Sequence, residues 1–281
     1  MDLLVFVAVL AAAACHAAWN ALVKQRLEPL RAISLISVAC AVVSLPMLPF
    51  VASPPAAAWP YVIASLLLHL VYYVALAEAY RHGDLSVVYP LARGSAPLLT
   101  AAVATAWLDE RLGPMGWAGV GTLAAAILML SLRSGRSPGD LDGRTVGFAL
   151  LTAACIAAYT VVDGTGARLA GSAPSYIVWL LVLDGLMMLV FGLVRAGPRL
   201  FGYFIESWSF MLAGGALATA GYGIAIWAMT VAPIALVAAL RETGVLFAAL
   251  IGVVFLGEPL RLLRVVAAVM AVVGALLIRF R

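Results

Sequence analysis

The sequence predicts an all-α polytopic membrane protein with ten transmembrane helices, arranged as two inverted five-helix repeats. The first observation is composition: 65% of the 281 residues are apolar and 11% are charged, against about 25% charged in a soluble domain. One soluble core would not bury that much apolar surface, whereas a bilayer accepts it. The second observation is the length of the apolar runs, which are unbroken and rich in Ala, Leu and Val. The strands of a membrane barrel would alternate instead over about 10 residues.

Ten apolar runs are long enough to cross a bilayer, since a helix needs about 20 residues to do so. The runs are 3–23, 32–52, 59–80, 85–107, 114–132, 145–163, 174–194, 208–230, 233–256 and 262–280. The longest polar stretch, 133–144, lies near the middle of the chain. We therefore predict a first five-helix repeat over 1–135, a connecting loop over 136–144 and a second repeat over 145–281.

The third observation is internal duplication. Three pairs of identical residues recur at a shift of 148 positions: Arg93 with Arg241, Leu108 with Leu256, and Glu110 with Glu258. Shared Arg and Glu residues are much less common by chance than shared alanines in apolar spans. Because five spans is an odd number, the two repeats would enter the membrane in opposite senses. Inverted repeats of this kind are typical of secondary transporters, which bind their substrate near the midplane between the repeats.

Charge distribution gives a first orientation. Eleven basic residues fall in one set of predicted loops and four on the other side, which favours placing the first set in the cytoplasm and both termini outside. The net charge of +4 resides in these short loops, so we expect no nucleic-acid partner. The three cysteines lie scattered in apolar runs, a pattern that predicts neither a disulfide framework nor a metal cluster.

Several motifs resemble the EamA-type transporters of the drug/metabolite transporter superfamily. They are the opening stretch His16 to Lys24, the segment Ala79 to Gly94, and the paired stretches Leu108 to Leu112 and Leu256 to Leu260. The resemblance covers nearly the whole chain and implies a ten-span, two-repeat carrier of small metabolites that often exports amino acids. It also implies cytoplasmic termini, so both orientations stay open. Small multidrug relatives couple to protons through a carboxylate in the first helix, where this chain offers only His16.

Two arginines within spans are the strongest candidate site residues, because a charged group inside a membrane is costly and faces the protein interior. Arg93 and its repeat partner Arg241 would hold a substrate carboxylate through bidentate hydrogen bonds. The alternative is a structural role, in which they pair with Glu242, Glu78 or backbone carbonyls. Both interpretations follow from the sequence alone.

Polar and aromatic residues at helical spacing extend the predicted substrate site. The candidates are His16, Trp19, Asn20, His69, Tyr73, Tyr80, Tyr89, Tyr159, Asp184 and Trp227. Asp163 is placed near a span end, within reach of water, and is assigned a structural role. Glu110 and Glu258 are expected to stabilise the N-termini of the fifth and tenth spans. Pro90, Pro97 and Pro233 are expected to open helices beside the cavity.

The function predicted first is a secondary exporter or exchanger of small metabolites, most of all amino acids, in the bacterial inner membrane. A channel, a sensory or partner-dependent membrane protein and an intramembrane enzyme are the alternatives. The sequence carries no P-loop, no His-Glu-x-x-His zinc motif and no Gly-x-Ser-x-Gly nucleophile turn, so we expect no enzyme activity and no cofactor. The expected partners are a small-molecule substrate and the lipid bilayer. A functional monomer is expected because one chain holds both repeats.

Overall fold

The computed structural model describes residues 1–24, 29–82, 85–131, 142–197, 199–256 and 262–281, and every regular element in these ranges is helical. The α-helices are α1 (Leu3–Lys24), α2 (Pro29–Ser44), α3 (Trp59–His82), α4 (Leu85–Trp107), α5 (Gly113–Ser131), α6 (Gly143–Leu169), α7 (Ala173–Ala196), α8 (Arg199–Glu206), α9 (Trp208–Val231), α10 (Ile234–Arg241), α11 (Gly244–Leu256) and α12 (Leu262–Arg279). A 3₁₀ helix, Leu45–Phe50, continues α2. The predicted all-helical fold is confirmed over these ranges.

Within the described ranges, eight helical segments are long and apolar enough to cross a membrane, which supports a multi-pass protein. One of them, Ile234–Val254, spans the junction of α10 and α11. The apolar part of α5, Gly113–Met129, is shorter, and α4 is not among the eight. The count of ten crossings therefore stays a prediction. The division into repeats also stays a prediction at its boundary, because residues 132–141 of the predicted loop lie outside the described residues.

The ninth predicted span is two helices rather than one, and the break between α10 and α11 falls at Glu242 and Thr243. Around the break the backbone bonds shorten to three residues, with Thr243 N donating to Leu240 O at 3.1 Å and Leu246 N donating to Thr243 O at 2.8 Å. The Thr243 hydroxyl also donates to Leu240 O at 2.7 Å. These bonds satisfy backbone groups that a helix break would otherwise leave unpaired in the membrane.

The expectation that prolines open the helices is wrong for α4, which runs through Pro90 and Pro97 without interruption. Pro233 does not open a helix either, because it is the residue that precedes the first turn of α10. At that position the missing N–H of proline costs no intrahelical hydrogen bond. The break between α10 and α11, which faces the cavity, contains no proline.

The two halves interlock. Among the described helices, α3 packs mainly against α6 while α1 packs against α9, α2 packs against α7, and α5 packs against α12. In the two repeats, α1, α2, α3, α4 and α5 correspond to α6, α7, α9, α10–α11 and α12. Exchanging the repeats turns the α3–α6 contact into the α1–α9 contact and leaves the α2–α7 and α5–α12 contacts unchanged. That pattern is the one a two-fold relation between the halves produces. It places the faces of α1, α4, α6 and α10 at the centre.

Close helix contacts depend on small residues, as is common in membranes. A Cβ atom added at Gly215 in α9 would lie 2.6 Å from Ala39 Cβ and 2.8 Å from Ala39 C in α2. Both atoms are rigidly attached to the facing backbone, so the two helices would have to separate.

We expect Gly215→Ala to lower the thermal unfolding midpoint of the protein in detergent, because overpacking of this kind costs about 1–3 kcal/mol. The matched control is Gly121→Ala in α5, where an added Cβ meets nothing within 4 Å. Equal midpoints for the two variants would show that α2 and α9 do not approach as closely as described.

On the face that carries both termini, a polar cluster, here called the terminal-side clasp, joins the two halves. Glu110 accepts hydrogen bonds from Ile234 N at 2.8 Å and Ala235 N at 3.2 Å, and it pairs with Arg168 Nη2 at 3.0 Å. Arg168 also donates from Nε to Met229 O at 2.9 Å. The clasp therefore joins the α4–α5 connection of the first half to α6, α9 and α10 of the second.

The structural role predicted for Glu110 is thus correct in kind but assigned to the wrong helix. Glu110 stabilises the N-terminus of α10 in the other half, not that of α5, because the α4–α5 connection reaches across to α10. Its carboxylate meets two unpaired N–H groups and the positive end of the helix dipole. Glu258, the repeat partner, lies outside the described residues.

Candidate functional site

Arg93 and Glu242 form a buried ion pair at the centre of the protein. Arg93 Nη2 lies 2.9 Å from Glu242 Oε1, and Arg93 Nε donates to Glu242 Oε2 at 3.1 Å. Both side chains are about nine-tenths buried, and the two parallel bonds make a bidentate contact. Of the two interpretations left open by the sequence, Arg93 therefore follows the one in which it pairs with Glu242. Glu78 instead pairs with Arg81, at 2.9 Å, near the end of α3.

Arg241 is different, although it is the repeat partner of Arg93. It lies at the last residue of α10, half-buried, and its guanidinium carbon is 5.5 Å from the centre of the Tyr222 ring. Within the described part of the chain, Arg241 has no carboxylate within salt-bridge distance. The predicted pair of free cations is therefore replaced by the Arg93–Glu242 ion pair. Arg241 lies beside this pair and forms no salt bridge among the described residues. These three residues are called the central site below.

Two small cavities meet at the central site, and Arg93, Arg241 and Glu242 line both. The larger, of about 70 Å³, is completed by His16, Ala17, Asn20, Tyr89, Ile127, Gly244, Val245 and Ala248. The smaller, of about 10 Å³, reaches towards Thr100, Tyr159 and Ala238 on the side of the terminal-side clasp. Ligand pockets usually measure about 300–1,000 Å³. Neither cavity, as described, has the volume of an ordinary ligand pocket.

The first helix contributes two of its three predicted residues to the larger cavity. His16 and Asn20 line it, and Asn20 Nδ2 donates back to His16 O at 2.8 Å. Trp19 Nε1 donates to His16 Nδ1 at 3.3 Å, but its ring packs into the apolar cluster around α2 and α7. Trp19 thus orients the His16 ring and lies outside the cavity lining.

A second polar cluster surrounds His69 in α3. The His69 ring stacks on Tyr159 with ring centres 4.3 Å apart, and His69 Nε2 lies 3.3 Å from Tyr222 Oη. Tyr222 Oη donates in turn to Asp163 Oδ2, and Tyr176 Oη donates to Asp163 Oδ1 at 3.0 Å. Since Tyr159 also lines the smaller cavity, this cluster adjoins the central site.

The prediction that Asp163 lies near a span end within reach of water is wrong. Only 1% of this residue is exposed, because α6 continues to Leu169, six residues beyond the predicted end of its span. The sequence does contain one signal for this burial. An acidic residue inside an apolar helix that also carries Tyr159 and Thr160 is typical of an interior polar face.

Asp184 and Tyr73 lie together on the far side of His69. Tyr73 Oη donates to Asp184 Oδ2 at 3.5 Å and lies 3.3 Å from Ser37 Oγ. Asp184 Oδ1 is buried and has no hydrogen-bond partner among the described residues. These two predicted residues meet each other but do not line either cavity.

Two other candidates lie away from the cavities. Tyr80 packs against an apolar cluster of Ala79, Val88 and Ala149, and Trp227 packs within the apolar core between α9 and α10. Neither side chain lines the central site. Glu242, in contrast, was not a predicted site residue, although its position in the second repeat corresponds to Gly94 in the first. That departure from the repeat was the available signal.

Comparison with known proteins agrees with this architecture. The sequence model of the EamA-like transporter family matches residues 2–132 and again residues 143–280. One solved structure, named only as "Crystal structure of protein", aligns with a TM-score of 0.75 and 18% identity over 98% of this chain and 94% of that chain. At that identity the likeness concerns the fold alone. No curated protein matches the sequence.

The two matches span both halves and confirm the resemblance stated from the motifs, including membership of the drug/metabolite transporter superfamily. Members of this family are membrane transporters. The chain belongs to the EamA-like transporter family.

Proposed function

We propose that the protein is a secondary carrier of small carboxylated metabolites, amino acids first, that works by alternating access around the central site. The observation that carries this proposal is Arg241, a cation without an acidic partner among the described residues, facing cavities at a helix break. A half-buried charge inside a membrane span is costly unless a ligand neutralises it. A substrate carboxylate supplies the missing negative charge.

The surroundings of Arg241 favour an amphipathic ligand. The break places the N-terminal end of α11 beside the larger cavity, where Gly244 and Val245 line it. Broken helices in transporters direct their positive N-terminal ends at anionic groups of the substrate. Ile127 and Ala248 give the same cavity an apolar wall, while the Tyr89 ring offers a surface for an ammonium group. An amino acid combines these three properties.

The closed terminal side supports transport by alternating access. The terminal-side clasp seals that face, and the larger cavity lies on the opposite side of the Arg93–Glu242 pair. A carrier opens each side in turn, so one side must be closed while the other admits substrate. The proposal places the protein in the bacterial inner membrane and includes no catalytic step. An outward substrate gradient drives export or exchange, and an inward gradient of a coupled ion drives uptake.

Counterflow in proteoliposomes tests the proposal. Vesicles that contain only the purified chain would be loaded with unlabelled amino acids and diluted into a mixture of radiolabelled ones. Saturable uptake that accelerates with trapped amino acids establishes a carrier. Uptake that does not saturate indicates a channel, and tight vesicles without any uptake contradict the proposed substrate class.

We expect Arg241→Gln to abolish most of this counterflow while leaving the protein folded, because glutamine keeps the length and polarity of the side chain but removes the charge. Loss of a hydrogen-bonded charge pair with a ligand costs about 2–5 kcal/mol, so uptake at low substrate concentration should fall at least about 30-fold. The control is Arg195→Gln, which changes an exposed arginine near the end of α7. Counterflow that survives in Arg241→Gln would remove Arg241 from the binding site.

A further inference from the structure

A hydrogen-bond chain runs from Ser65 through His69 and Tyr222 to Asp163. When His69 is neutral and Asp163 is ionised, one acceptor in this chain receives no hydrogen. His69 Nδ1 lies 2.9 Å from Ser65 O and 3.2 Å from Ser65 Oγ. The carbonyl contact is the shorter one, and a carbonyl only accepts. We therefore assign the Nδ1 hydrogen to His69, which leaves Nε2 without a hydrogen when the ring is neutral.

The rest of the chain then lacks a hydrogen. Tyr222 Oη lies 3.3 Å from His69 Nε2 and also contacts Asp163 Oδ2. Its single hydrogen serves one of these two contacts, while an ionised carboxylate and a neutral Nε2 both only accept. One added proton completes the chain. It resides either on His69 Nε2, which then donates to Tyr222, or on Asp163, which donates to Tyr222 while Tyr222 donates to His69.

Both residues that can carry the added proton are buried. Asp163 is 1% exposed and His69 is 7% exposed, and no salt bridge to Asp163 exists among the described residues. Burial disfavours an ionised carboxylate that has no cation beside it, and the donors to Asp163 include the neutral hydroxyls of Tyr176 and Tyr222. Asp184 adds a second buried carboxylate on the other side of the His69 ring, and its Oδ1 has no hydrogen-bond partner among the described residues.

The groups around the chain come from several helices. They are Tyr73 on α3, Arg93 with its partner Glu242 on α4 and at the helix break, Tyr159 on α6, Tyr176 and Asp184 on α7, and Arg241 on α10. Among the described residues, no group of three or more His, Cys, Asp or Glu side chains is placed to hold a metal ion. An imidazole and hydroxyl donors around the carboxylate suit a proton better than a hard metal cation, which requires a shell of oxygen ligands.

We propose that His69, Tyr222 and Asp163 hold a proton that is cotransported with the substrate, an inference that rests on the proposed carrier function. The link to the central site is the Tyr222 ring, which lies 5.5 Å from the Arg241 guanidinium carbon. The positive charge of Arg241 repels a proton on the chain. When a substrate carboxylate neutralises Arg241, that repulsion falls and the proton is added at lower cost. Substrate and proton therefore bind together and are released together.

The test imposes a proton gradient, acidic outside, across proteoliposomes with the voltage clamped at zero. Wild type should accumulate the radiolabelled amino acids above equilibrium. In Asp163→Asn the ratio of gradient-driven accumulation to counterflow should fall about tenfold or more, the equivalent of at least 1.4 kcal/mol of lost coupling. The matched control, Asp142→Asn, changes an exposed carboxylate beside the first turn of α6 and should keep the wild-type ratio. Accumulation that follows a sodium gradient, or that persists in Asp163→Asn, would overturn the proposal.

A second measurement needs no substrate. Infrared difference spectra of purified wild type, taken between acidic and alkaline pH, should contain the C=O band of a buried carboxylic acid that Asp163→Asn lacks. If counterflow fails for every amino acid, the proposed substrate class fails, and this band still decides whether the chain binds a proton. A spectrum identical in wild type and Asp163→Asn would contradict the proton site even where counterflow is robust.

Discussion

Arg93→Ala is expected to yield little folded protein, because Glu242 would then keep a buried negative charge without its bidentate partner. Removing one member of a buried ion pair costs about 3–5 kcal/mol, which is a large fraction of the stability of an ordinary protein. The measurement is the amount of monodisperse protein after purification, together with its thermal unfolding midpoint. Loss of transport in this variant alone would therefore say nothing about substrate binding.

The double variant Arg93→Ala with Glu242→Ala separates the two explanations. It removes both charges, so it should recover most of the folded protein that Arg93→Ala loses. Arg195→Ala serves as the control, since that arginine is exposed and, among the described residues, its guanidinium carbon lies 5.6 Å from the centre of the Phe191 ring. An Arg93→Ala protein as stable as wild type would show that Glu242 is not held by Arg93.

Glu110→Ala is expected to loosen the terminal side of the carrier. The substitution removes the acceptor of Ile234 N and Ala235 N and the partner of Arg168. Loss of a side-chain cap at a helix N-terminus costs about 0.5–2 kcal/mol, which corresponds to a roughly 2–30-fold shift in an open–closed equilibrium. Hydrogen–deuterium exchange of the first turn of α10 should accelerate by a similar factor.

The matched control for that experiment is Glu206→Ala, which removes an exposed carboxylate at the end of α8. Its exchange pattern should equal that of wild type. Unchanged exchange at Ile234 and Ala235 in Glu110→Ala would show that the terminal-side clasp does not hold this face closed. A rise confined to α10, α9 and α6 would identify the clasp as the contact that opens.

The sequence was sufficient for the membrane character and the duplication, because these rest on composition and on rare charged residues that recur in apolar runs. It also singled out Arg93 and Arg241, whose role in transport stays a prediction. It was insufficient for the helix break, since the short polar run from Arg241 to Gly244 does not by itself divide a span and no proline lies within it. At the break, Glu242 pairs with Arg93, a residue 149 positions away in the chain. Local pattern contains no information about such a partner.

The position of Asp163 was missed for a related reason. Hydropathy locates a span well but fixes its ends poorly, and an end placed six residues early turns a buried carboxylate into a solvated one. The clasp was missed because Glu110 looks like an ordinary first-turn carboxylate of the following helix. Only the packing of one half against the other reveals that it serves α10 instead.

The interlocked helices also constrain how the chain matures during synthesis. The first half leaves the ribosome before the second, yet the main neighbours of α1 and α3 are α9 and α6. Until those helices are inserted, His69 faces lipid without Tyr159 and Tyr222, and Arg93 lacks Glu242. We therefore expect the first half to stay loosely packed in the bilayer until the second half is inserted. Its buried polar groups would find their partners only at that late stage of synthesis.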